Sequence, residues 1–228
     1  QNLAPGAVER VGLGTKTLTE KFPRLIYCSL SGYGEDGPYR EQKAYDMLVQ
    51  GESGLISVNG TDSDIARVGI SICDISAGMT AFAAILQALH ARAQSGNGRV
   101  IEVSLFHAIS DWMNVPYLQT RYGNKPPPRV GVRHPTISPY GAFNCADGRQ
   151  VLLSIQNERE WSNLCRAVLN DTQLTTDPRF DSNVNRVANN AVLEEIINQR
   201  FAALSREAAM ALLTDSGIAC GRLSDMED

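Results

Sequence analysis

Asp74 is the residue of this sequence whose position is best suited to chemistry. It stands in residues 71–79, where a run of β-branched apolar residues stops and a long amphipathic helix is predicted to begin. A carboxylate at such a junction faces the free N–H groups of the first helical turn and the positive end of the helix dipole, which favour its ionised form. We therefore expect Asp74 to be anionic at neutral pH. From this segment alone, capping the helix is the ordinary role of such an aspartate.

The segments that must position Asp74 predict an α/β domain over residues 1–122. The predicted elements are a short helix over 7–21, a buried strand over 23–30, a glycine-rich loop over 31–38, a helix over 45–50, a turn region over 51–60, a helix over 77–92, a strand over 99–105 and a helix over 106–122 with a kink at Pro116. The helix over 77–92 places Phe82, Ile85, Leu86 and Leu89 on one face. A strand that runs into a glycine-rich loop is a suitable edge for a ligand site.

The character of the sequence changes at Gly123. Residues 123–140 contain three consecutive prolines and no helical pattern, which predicts an extended linker. Beyond it, strands over 141–144 and 150–156 form a predicted hairpin, and helices follow over 158–169, 190–204 and 205–216. Residues 141–228 therefore predict a small α+β domain.

Composition narrows the classes of function. With 228 residues, 43% hydrophobic and 20% charged, the chain can bury a sizeable core in one large or two smaller domains. The net charge of −4 and the pI near 5.5 argue against a nucleic acid or an anionic membrane as the main partner, although a local basic pocket is compatible with them.

The cysteines favour a reducing compartment. The chain has five cysteines, an odd number, and they are widely scattered without a CxxC pair. Neither a disulfide framework nor a zinc site or other metal site is therefore indicated. No apolar run approaches the roughly 20 residues that span a bilayer, and no secretory leader opens the chain. A cytoplasmic location fits these features best. The absence of an initiator Met at Gln1 and the acidic, helix-like end predict a fragment of a longer protein.

Several ordered motifs resemble those of the family III CoA-transferases, which include formyl-CoA, carnitine-CoA and succinyl-CoA-dependent transferases and α-methylacyl-CoA racemase. These are residues 2–7 (NLAPGA), 23–27 (PRLIY), 31–34 (SGYG), 43–46 (KAYD), Asp74 with Gly78 and Met79, and 95–104 (SGNGRVIEVS). The resemblance covers nearly the whole chain. It implies the middle of a longer protein, with an incomplete Rossmann-like large domain, a small α+β domain, and an interlocked homodimer whose active sites use both subunits.

The resemblance implies that Asp74 is the nucleophile. In the family, the matching aspartate attacks an acyl-CoA thioester, which gives an aspartyl mixed anhydride and free CoA thiolate. Each later exchange swaps one activated acyl bond for another, so little energy is lost. Since a carboxylate is a weak nucleophile, donors to the developing oxyanion and exclusion of water must supply much of the rate. Backbone N–H groups of Gly32, Tyr33 and Gly34 are candidate donors, and a tight turn that needs glycine is the alternative explanation of this loop.

Coenzyme A is the cofactor-like substrate that the resemblance implies. Asn2, Leu3, Ala7 and Arg10 match the segment that contacts the CoA nucleotide in the family. Lys43 matches a residue near the phosphates, and Leu105 matches a residue that lines the pantetheine path. Taken alone, Arg10 and Lys43 are ordinary surface charges and Leu105 an ordinary core residue.

Tyr45 distinguishes two branches of the family and belongs to the same candidate CoA site. The racemases of this fold have a histidine at the matching position, which moves a proton next to the thioester carbonyl. A phenol with an ordinary pKa near 10 is a poor general base at neutral pH. The sequence therefore favours acyl transfer over racemisation.

Arg133 and His134 are candidates for binding the distal carboxylate of a dicarboxylic acceptor, because they lie in a Pro-flanked loop at the predicted domain junction. A linker salt bridge is the alternative. The chain has no run of consecutive glycines like the tetraglycine loop of formyl-CoA transferase, which makes oxalate and formate doubtful substrates. Small carboxylates and acyl-CoA are the expected partners.

Three other functions remain open from the sequence. A racemase-like relative would exchange the α-proton of a single acyl-CoA without an acceptor acid. A non-catalytic fragment or CoA-binding scaffold would bind CoA without turnover. An unrelated α/β interaction module would show no affinity for CoA.

Overall fold

A computed structural model describes all 228 residues of the protein. The chain divides into two units, Gln1–Arg129 and Val130–Asp228. The division falls inside the segment predicted as a linker. The elements of the first unit are α1 (Ala7–Arg10), α2 (Thr15–Lys21), β1 (Ile26–Ser31), α3 (Asp46–Glu52), a 3₁₀ turn (Leu55–Val58), α4 (Ile72–Ser95), β2 (Arg99–Ser104), α5 (Leu105–Trp112) and α6 (Asn114–Gly123).

A two-stranded parallel sheet forms the framework of the first unit. Strand β1 pairs with β2 in a register that runs from Ile26 opposite Arg99 to Ser31 opposite Ser104. Parallel neighbours need a long crossover connection, and α4 provides its helix. The carboxyl ends of both strands therefore lie at one edge, where the loop after β1 and the start of α5 meet.

Helix α4 begins five residues earlier than predicted, at Ile72 rather than at residue 77, so Asp74 lies in its first turn. The helix packs through small residues, since Ala77 and Ala81 are buried with Val103 of β2 and Ala108 of α5. Alanines allow a helix to approach a sheet closely. The face of large apolar residues is mostly exposed, with Phe82 at 65% and Leu86 at 49% of their accessible surface.

The expectation that no segment reaches the length and apolar character of a membrane span is wrong for α4. This helix of 24 residues is long and apolar enough to cross a membrane by length and composition alone. Helices in the cores of soluble proteins satisfy the same test, so the finding is weak evidence of a span.

Two predicted helices are each divided in the structure. The predicted helix over 7–21 breaks into α1 and α2 around Gly12, whose φ of +73° ends the first of them. The predicted helix over 106–122 breaks at Met113, between α5 and α6. Pro116 lies in the first turn of α6, where a missing N–H is tolerated, so the predicted kink at Pro116 is wrong.

The second unit contains an antiparallel sheet in the order β3 (Tyr140–Asn144), β4 (Gln150–Ser154) and β5 (Ala219–Arg222). Its helices are α7 (Glu158–Asn163), a π turn (Leu164–Val168), a 3₁₀ turn (Thr172–Thr175), α8 (Asn183–Ala188), α9 (Asn190–Phe201) and α10 (Arg206–Asp215). The hairpin and the last two helices follow the predicted pattern. Strand β5 and helix α8 were not predicted, and the expected acidic helix at residues 224–228 does not form.

Large apolar side chains fill one core in the second unit. Phe143, Trp161, Phe180 and Phe201 are each at most 1% exposed. The buried guanidinium of Arg186 lies over the Trp161 ring at 4.9 Å and binds both carboxylate oxygens of Glu158, at 2.9 and 2.8 Å. A buried charge requires such a partner, because an unpaired one is costly away from water.

Candidate active site

Asp74 lines a cavity of about 790 Å³ in the first unit. The cavity is walled by the N-terminal segment, the loop after β1, residues 40–45 before α3, the first turns of α4, and the start of α5. Its lining residues are Asn2, Leu3, Ala4, Pro5, Leu30, Ser31, Gly32, Arg40, Glu41, Gln42, Lys43, Ala44, Tyr45, Asp74, Ala77 and Leu105. The volume lies within the range of small-molecule sites.

Seven of the residues predicted from the sequence are brought together in this cavity. They are Asn2, Leu3, Gly32, Lys43, Tyr45, Asp74 and Leu105. Ala7 and Arg10 lie on the short helix α1 and do not line the cavity. Of the four residues predicted to contact the CoA nucleotide, only Asn2 and Leu3 therefore line the cavity.

Gly32 is needed for a close approach between two walls of the cavity. A Cβ added at Gly32 would overlap the Cβ of Ala44, so only glycine lets the loop after β1 pack against the segment that carries Lys43 and Tyr45. The carbonyl of Gly32 also accepts a hydrogen bond from the N–H of Phe106, at 3.1 Å. The loop is thus fixed to the start of α5.

The rest of this loop, Tyr33 and Gly34, does not line the cavity. The N–H of Gly34 donates to Oγ of Ser31 at 3.0 Å, and its φ of +101° explains why glycine stands there. Tyr33 is buried against Tyr39 and Phe106, its hydroxyl has no hydrogen-bond partner, and it does not line the cavity. Of the three residues whose N–H groups are predicted donors, only Gly32 lines the cavity, and the donor role stays a prediction.

The first turn of α4 has no free N–H group for the carboxylate of Asp74. The N–H of Ile72 donates to the carbonyl of Ile70 at 2.8 Å. The N–H groups of Cys73 and Asp74 are turned to Oδ1 of Asp46, at 2.7 and 3.4 Å. Asp46 belongs to α3 and caps α4 across 27 residues of sequence. The backbone donors that were expected to stabilise Asp74 are therefore already used.

The pKa of Asp74 is raised above its ordinary value, against our expectation. Partial burial of the carboxyl is the first cause, and the negative charge of Asp46 is the second. Because Asp74 as a whole residue is exposed, this desolvation is incomplete. A carboxylate with a raised pKa is more basic, and thus a better nucleophile once it is ionised.

The neighbouring thiol of Cys73 is not a competing nucleophile. Cys73 is fully buried, and burial together with the charges of Asp46 and Asp74 raises its pKa to about 12. The thiolate is the reactive form of cysteine, and it is suppressed here.

Two residues near Asp74 were missed by sequence reasoning. In the sequence, Asp46 appeared only as the last residue of the KAYD motif, without an assigned role, and no pattern indicated a role for Gln50. Gln50 is completely buried, and its Nε2 donates to Oδ2 of Asp46 at 2.7 Å. Its Oε1 accepts the N–H of Val68 at 2.9 Å, which ties α3 to the segment preceding α4.

The cavity contains two cationic side chains, Lys43 and Arg40. Arg40 was not predicted; its Nε lies 2.9 Å from Oε1 of Glu41, and both side chains are largely exposed. Such an exposed pair contributes little stability and leaves the guanidinium accessible to an anion.

A second cavity, of about 440 Å³, has a contrasting charge. Its acidic lining residues are Glu9, Glu35, Asp36 and Glu102, and it shares with the first cavity Leu3, Ala4, Pro5, Leu30, Ser31 and Arg40. The pKa of Glu102 is raised, first by burial and then by the charges of Glu35 and Asp36. Such a lining disfavours phosphate groups, so the larger cavity is the better candidate for CoA.

Arg133 and His134 lie in the second unit, and neither lines the cavity of Asp74. Nε of Arg133 is 3.5 Å from Oε1 of Glu194, the kind of salt bridge that was the alternative. The ring of His134 stacks on Tyr140 with centroids 5.3 Å apart, and its Nδ1 accepts the N–H of Thr136. Each side chain has a partner within the second unit, and the binding of a carboxylate by these two residues stays a prediction.

Comparison with known proteins gives a consistent result over the whole chain. Residues 1–228 match the family model described as CoA-transferase family III. The chain is 38% identical to an acyl-CoA transferase of Fusarium pseudograminearum and 34% identical to the acetyl-CoA:oxalate CoA-transferase of Acetobacter aceti, in each case over 100% of this chain. It also superimposes on the crystal structure of a CAIB/BAIF family protein from Brucella suis with a TM-score of 0.89 and 31% identity, over 99% of this chain.

The chain spans only part of the length of these relatives. It covers 50% of the Fusarium protein, 59% of the Acetobacter protein and 60% of the Brucella chain. The comparisons therefore establish the family and the mixed α/β fold of the residues described.

Proposed function

This chain belongs to CoA-transferase family III, and we propose that the protein transfers CoA from an acyl-CoA donor to a small carboxylic acid. The observation that carries the proposal is the placement of Asp74 on a cavity of about 790 Å³ together with the cations Lys43 and Arg40. A thioester needs access to the nucleophile, and the phosphates of CoA need cations. Both are present in one cavity.

The proposed reaction proceeds through Asp74 by four balanced acyl exchanges. An oxygen of Asp74 attacks the thioester carbonyl, the C–S bond breaks, and CoA leaves as thiolate, which gives an aspartyl acyl anhydride. The thiolate then attacks the aspartyl carbonyl, releases the donor acid and forms an aspartyl-CoA thioester. The acceptor carboxylate attacks this thioester, the C–S bond breaks, and a second anhydride, between Asp74 and the acceptor, forms as CoA thiolate is freed again. The thiolate finally attacks the acceptor carbonyl and regenerates Asp74.

The other lining residues have roles that follow from their chemistry. Lys43 and Arg40 would bind phosphate or carboxylate groups, and Leu105 offers apolar surface to the pantetheine arm. Tyr45, rather than a histidine, lines the cavity at this position and is 70% exposed. This arrangement supports acyl transfer rather than removal of the α-proton.

We propose a small dicarboxylate as the acceptor class. A second carboxylate could pair with Arg40 or Lys43 while the first attacks, and the relative from Acetobacter aceti is named for oxalate. That name weakens the doubt about oxalate that the missing glycine run raised. A screen with succinyl-CoA against acetate, oxalate, malonate and glutarate separates these acids. Faster transfer to acetate than to every dicarboxylate would reject the class.

Replacement of Asp74 tests the mechanism directly. Asp74→Asn should lower kcat by about a thousandfold or more, because no acyl acceptor remains. Hydroxylamine added to the wild-type protein with acyl-CoA should convert Asp74 to a hydroxamate that peptide mass spectrometry detects. Asp62→Asn is the matched control, since its side chain lies outside the cavity. Near-normal turnover by Asp74→Asn would remove the mechanism.

The assembly and the location of the protein are also proposals. The family resemblance favours a homodimer, and light scattering tests it. The five cysteines are free, which is compatible with a reducing compartment such as the cytoplasm.

A further inference from the structure

A second carboxylate, that of Asp46, lies beneath the backbone of Asp74. Its Oδ1 receives the N–H of Cys73 at 2.7 Å and, more weakly, that of Asp74 at 3.4 Å. We propose that Asp46 is a positioning residue for Asp74: it fixes the first turn of α4 and keeps a second negative charge beside the nucleophile. This inference rests on the proposed role of Asp74.

The sequence offers a local cap for α4, and the structure does not use it. Ser71 occupies the N-cap position, where a serine side chain usually accepts an N–H of the first turn. Here the Ser71 side chain makes no such bond. The cap comes instead from α3, so the position of the Asp74 backbone depends on a residue distant in sequence.

The cap joins two walls of the cavity. Asp46 directly follows Tyr45, which lines the cavity with Lys43, while the turn that Asp46 caps carries Asp74. A shift of α4 relative to α3 would therefore move the nucleophile relative to the groups proposed to bind CoA. Displacement of a reacting group by about 1 Å can cost a hundredfold in rate.

Gln50 fixes the carboxylate of Asp46 from the other side. Its buried amide donates to Oδ2 of Asp46 at 2.7 Å and accepts the N–H of Val68 at 2.9 Å. Both oxygens of Asp46 thus have partners, one on α3 and one on α4. Because both oxygens of Asp46 are already held, the side chain needs little further ordering during the reaction.

The charge of Asp46 has an effect separate from the cap. It disfavours the ionised form of Asp74 and is, after burial, the second cause of its raised pKa. The other titratable or charged groups around Asp74 are the Cys73 thiol and, in the cavity, Arg40, Glu41, Lys43 and Tyr45. Loss of the Asp46 charge should therefore lower the pH at which Asp74 becomes active.

Three variants separate the cap from the charge. Asp46→Ala removes both, Asp46→Asn removes the charge and the bond from Gln50 but keeps an oxygen acceptor for the N–H of Cys73, and Ser71→Ala removes the unused local cap. With saturating acceptor, we expect Asp46→Ala to lower kcat by about 10- to 100-fold with KM for acyl-CoA within about twofold. Asp46→Asn should recover part of kcat, because it keeps the bond from Cys73 and loses the one from Gln50, and the acid limb of its pH profile should move to lower pH. Ser71→Ala should stay within about twofold of wild type in both constants.

The opposite results overturn the inference. The inference is rejected if kcat of Asp46→Ala stays within twofold of wild type, or if its KM rises as much as its kcat falls. It is also rejected if Asp46→Asn recovers none of the lost kcat. If Asp46→Ala does not fold, Asp46→Asn decides alone, and an unmoved acid limb rejects the role of the charge and with it the inference. Asp74→Asn is measured in parallel: activity in that variant rejects the proposed function, whereas loss there with normal Asp46 variants rejects only the inference.

Discussion

The two units of the chain bury their side chains in different ways. In the second unit, Phe143, Trp161, Phe180 and Phe201 meet in a single core and are each at most 1% exposed. In the first unit, the buried residues form two small clusters, one of them largely alanine, and large apolar side chains such as Phe82 remain exposed. The second unit is thus held mainly by apolar packing.

The candidate site lies in the first unit, whose buried clusters are smaller than the core of the second unit. Its geometry depends on specific polar contacts, such as those of Asp46 and Gln50, and on the close approach of Gly32 to Ala44. We therefore expect substitutions of core residues to lower the stability of the second unit, and small polar or steric changes in the first unit to lower the activity of the site.

The largest expected effect is on the core of the second unit. Phe201→Ala should lower the free energy of unfolding by about 3–5 kcal/mol, because it leaves a cavity in a closed core. Phe22→Ala, at a half-exposed phenylalanine of the first unit, should change it by less than about 1 kcal/mol. Denaturant unfolding followed by far-UV circular dichroism, which reports on the helices of both units, measures both. Equal losses would contradict the contrast between the units.

An intermediate effect is expected at Gly32. Gly32→Ala should destabilise the protein by about 1–3 kcal/mol and lower transfer activity, since its Cβ would overlap that of Ala44. Gly51→Ala is the matched control in α3, where an added Cβ meets nothing, and it should be neutral or slightly stabilising.

A second substitution sharpens the test of Gly32. If the overlap with Ala44 is the cause, the double variant Gly32→Ala with Ala44→Gly should regain much of the stability and activity. Failure of this rescue, with Gly51→Ala behaving as expected, would show that Gly32 serves another purpose, such as backbone geometry at the site. Thermal unfolding and transfer assays on all four proteins give the answer.

The same contrast explains what the sequence predicted and what it did not. Local patterns located β1, β2, the β3–β4 hairpin and the body of α4, because alternation and helical periodicity are encoded over a few residues. The true start of α4 was missed because its cap, Asp46, is 27 residues away. Strand β5 was missed because Ala219–Arg222 has no strand pattern of its own and forms by pairing with β4.

The candidate site was predicted in the parts that motifs mark. Asp74, Lys43 and Tyr45 stand in motifs shared with a known family, and the structure places them on one cavity. Arg40 and Gln50 stand outside any motif that signals chemistry, and only the fold reveals where they lie. Arg133 and His134 were assigned from a loop position, and their role in binding a carboxylate stays a prediction.

The smallest expected effects come from the removal of a single carboxylate charge. The change in melting temperature should be positive for Asp74 in the first unit and negative for Asp177 in the second. The pKa of Asp74 is raised by partial burial and by Asp46, so in the folded protein its ionisation is disfavoured and stability falls as the pH rises through that pKa. Asp74→Asn should therefore raise the melting temperature slightly at pH 7. The gain should vanish at pH values below the ordinary pKa of aspartate, where wild-type Asp74 is protonated in both states.

Asp177 of the second unit supplies the reverse case. Hydrogen bonds from the side chain and then the backbone of Arg179 hold its pKa below the ordinary value, so its contribution to stability is present above that value and is lost as the pH falls through the lowered pKa. Asp177→Asn should lower the melting temperature at pH 7, and the loss should shrink in acid. Melting temperatures of the two variants and the wild type from pH 3 to 8 test both signs. A fall in melting temperature with Asp74→Asn at pH 7 would mean that the ionised carboxylate of Asp74 stabilises the fold, the opposite of the expected sign.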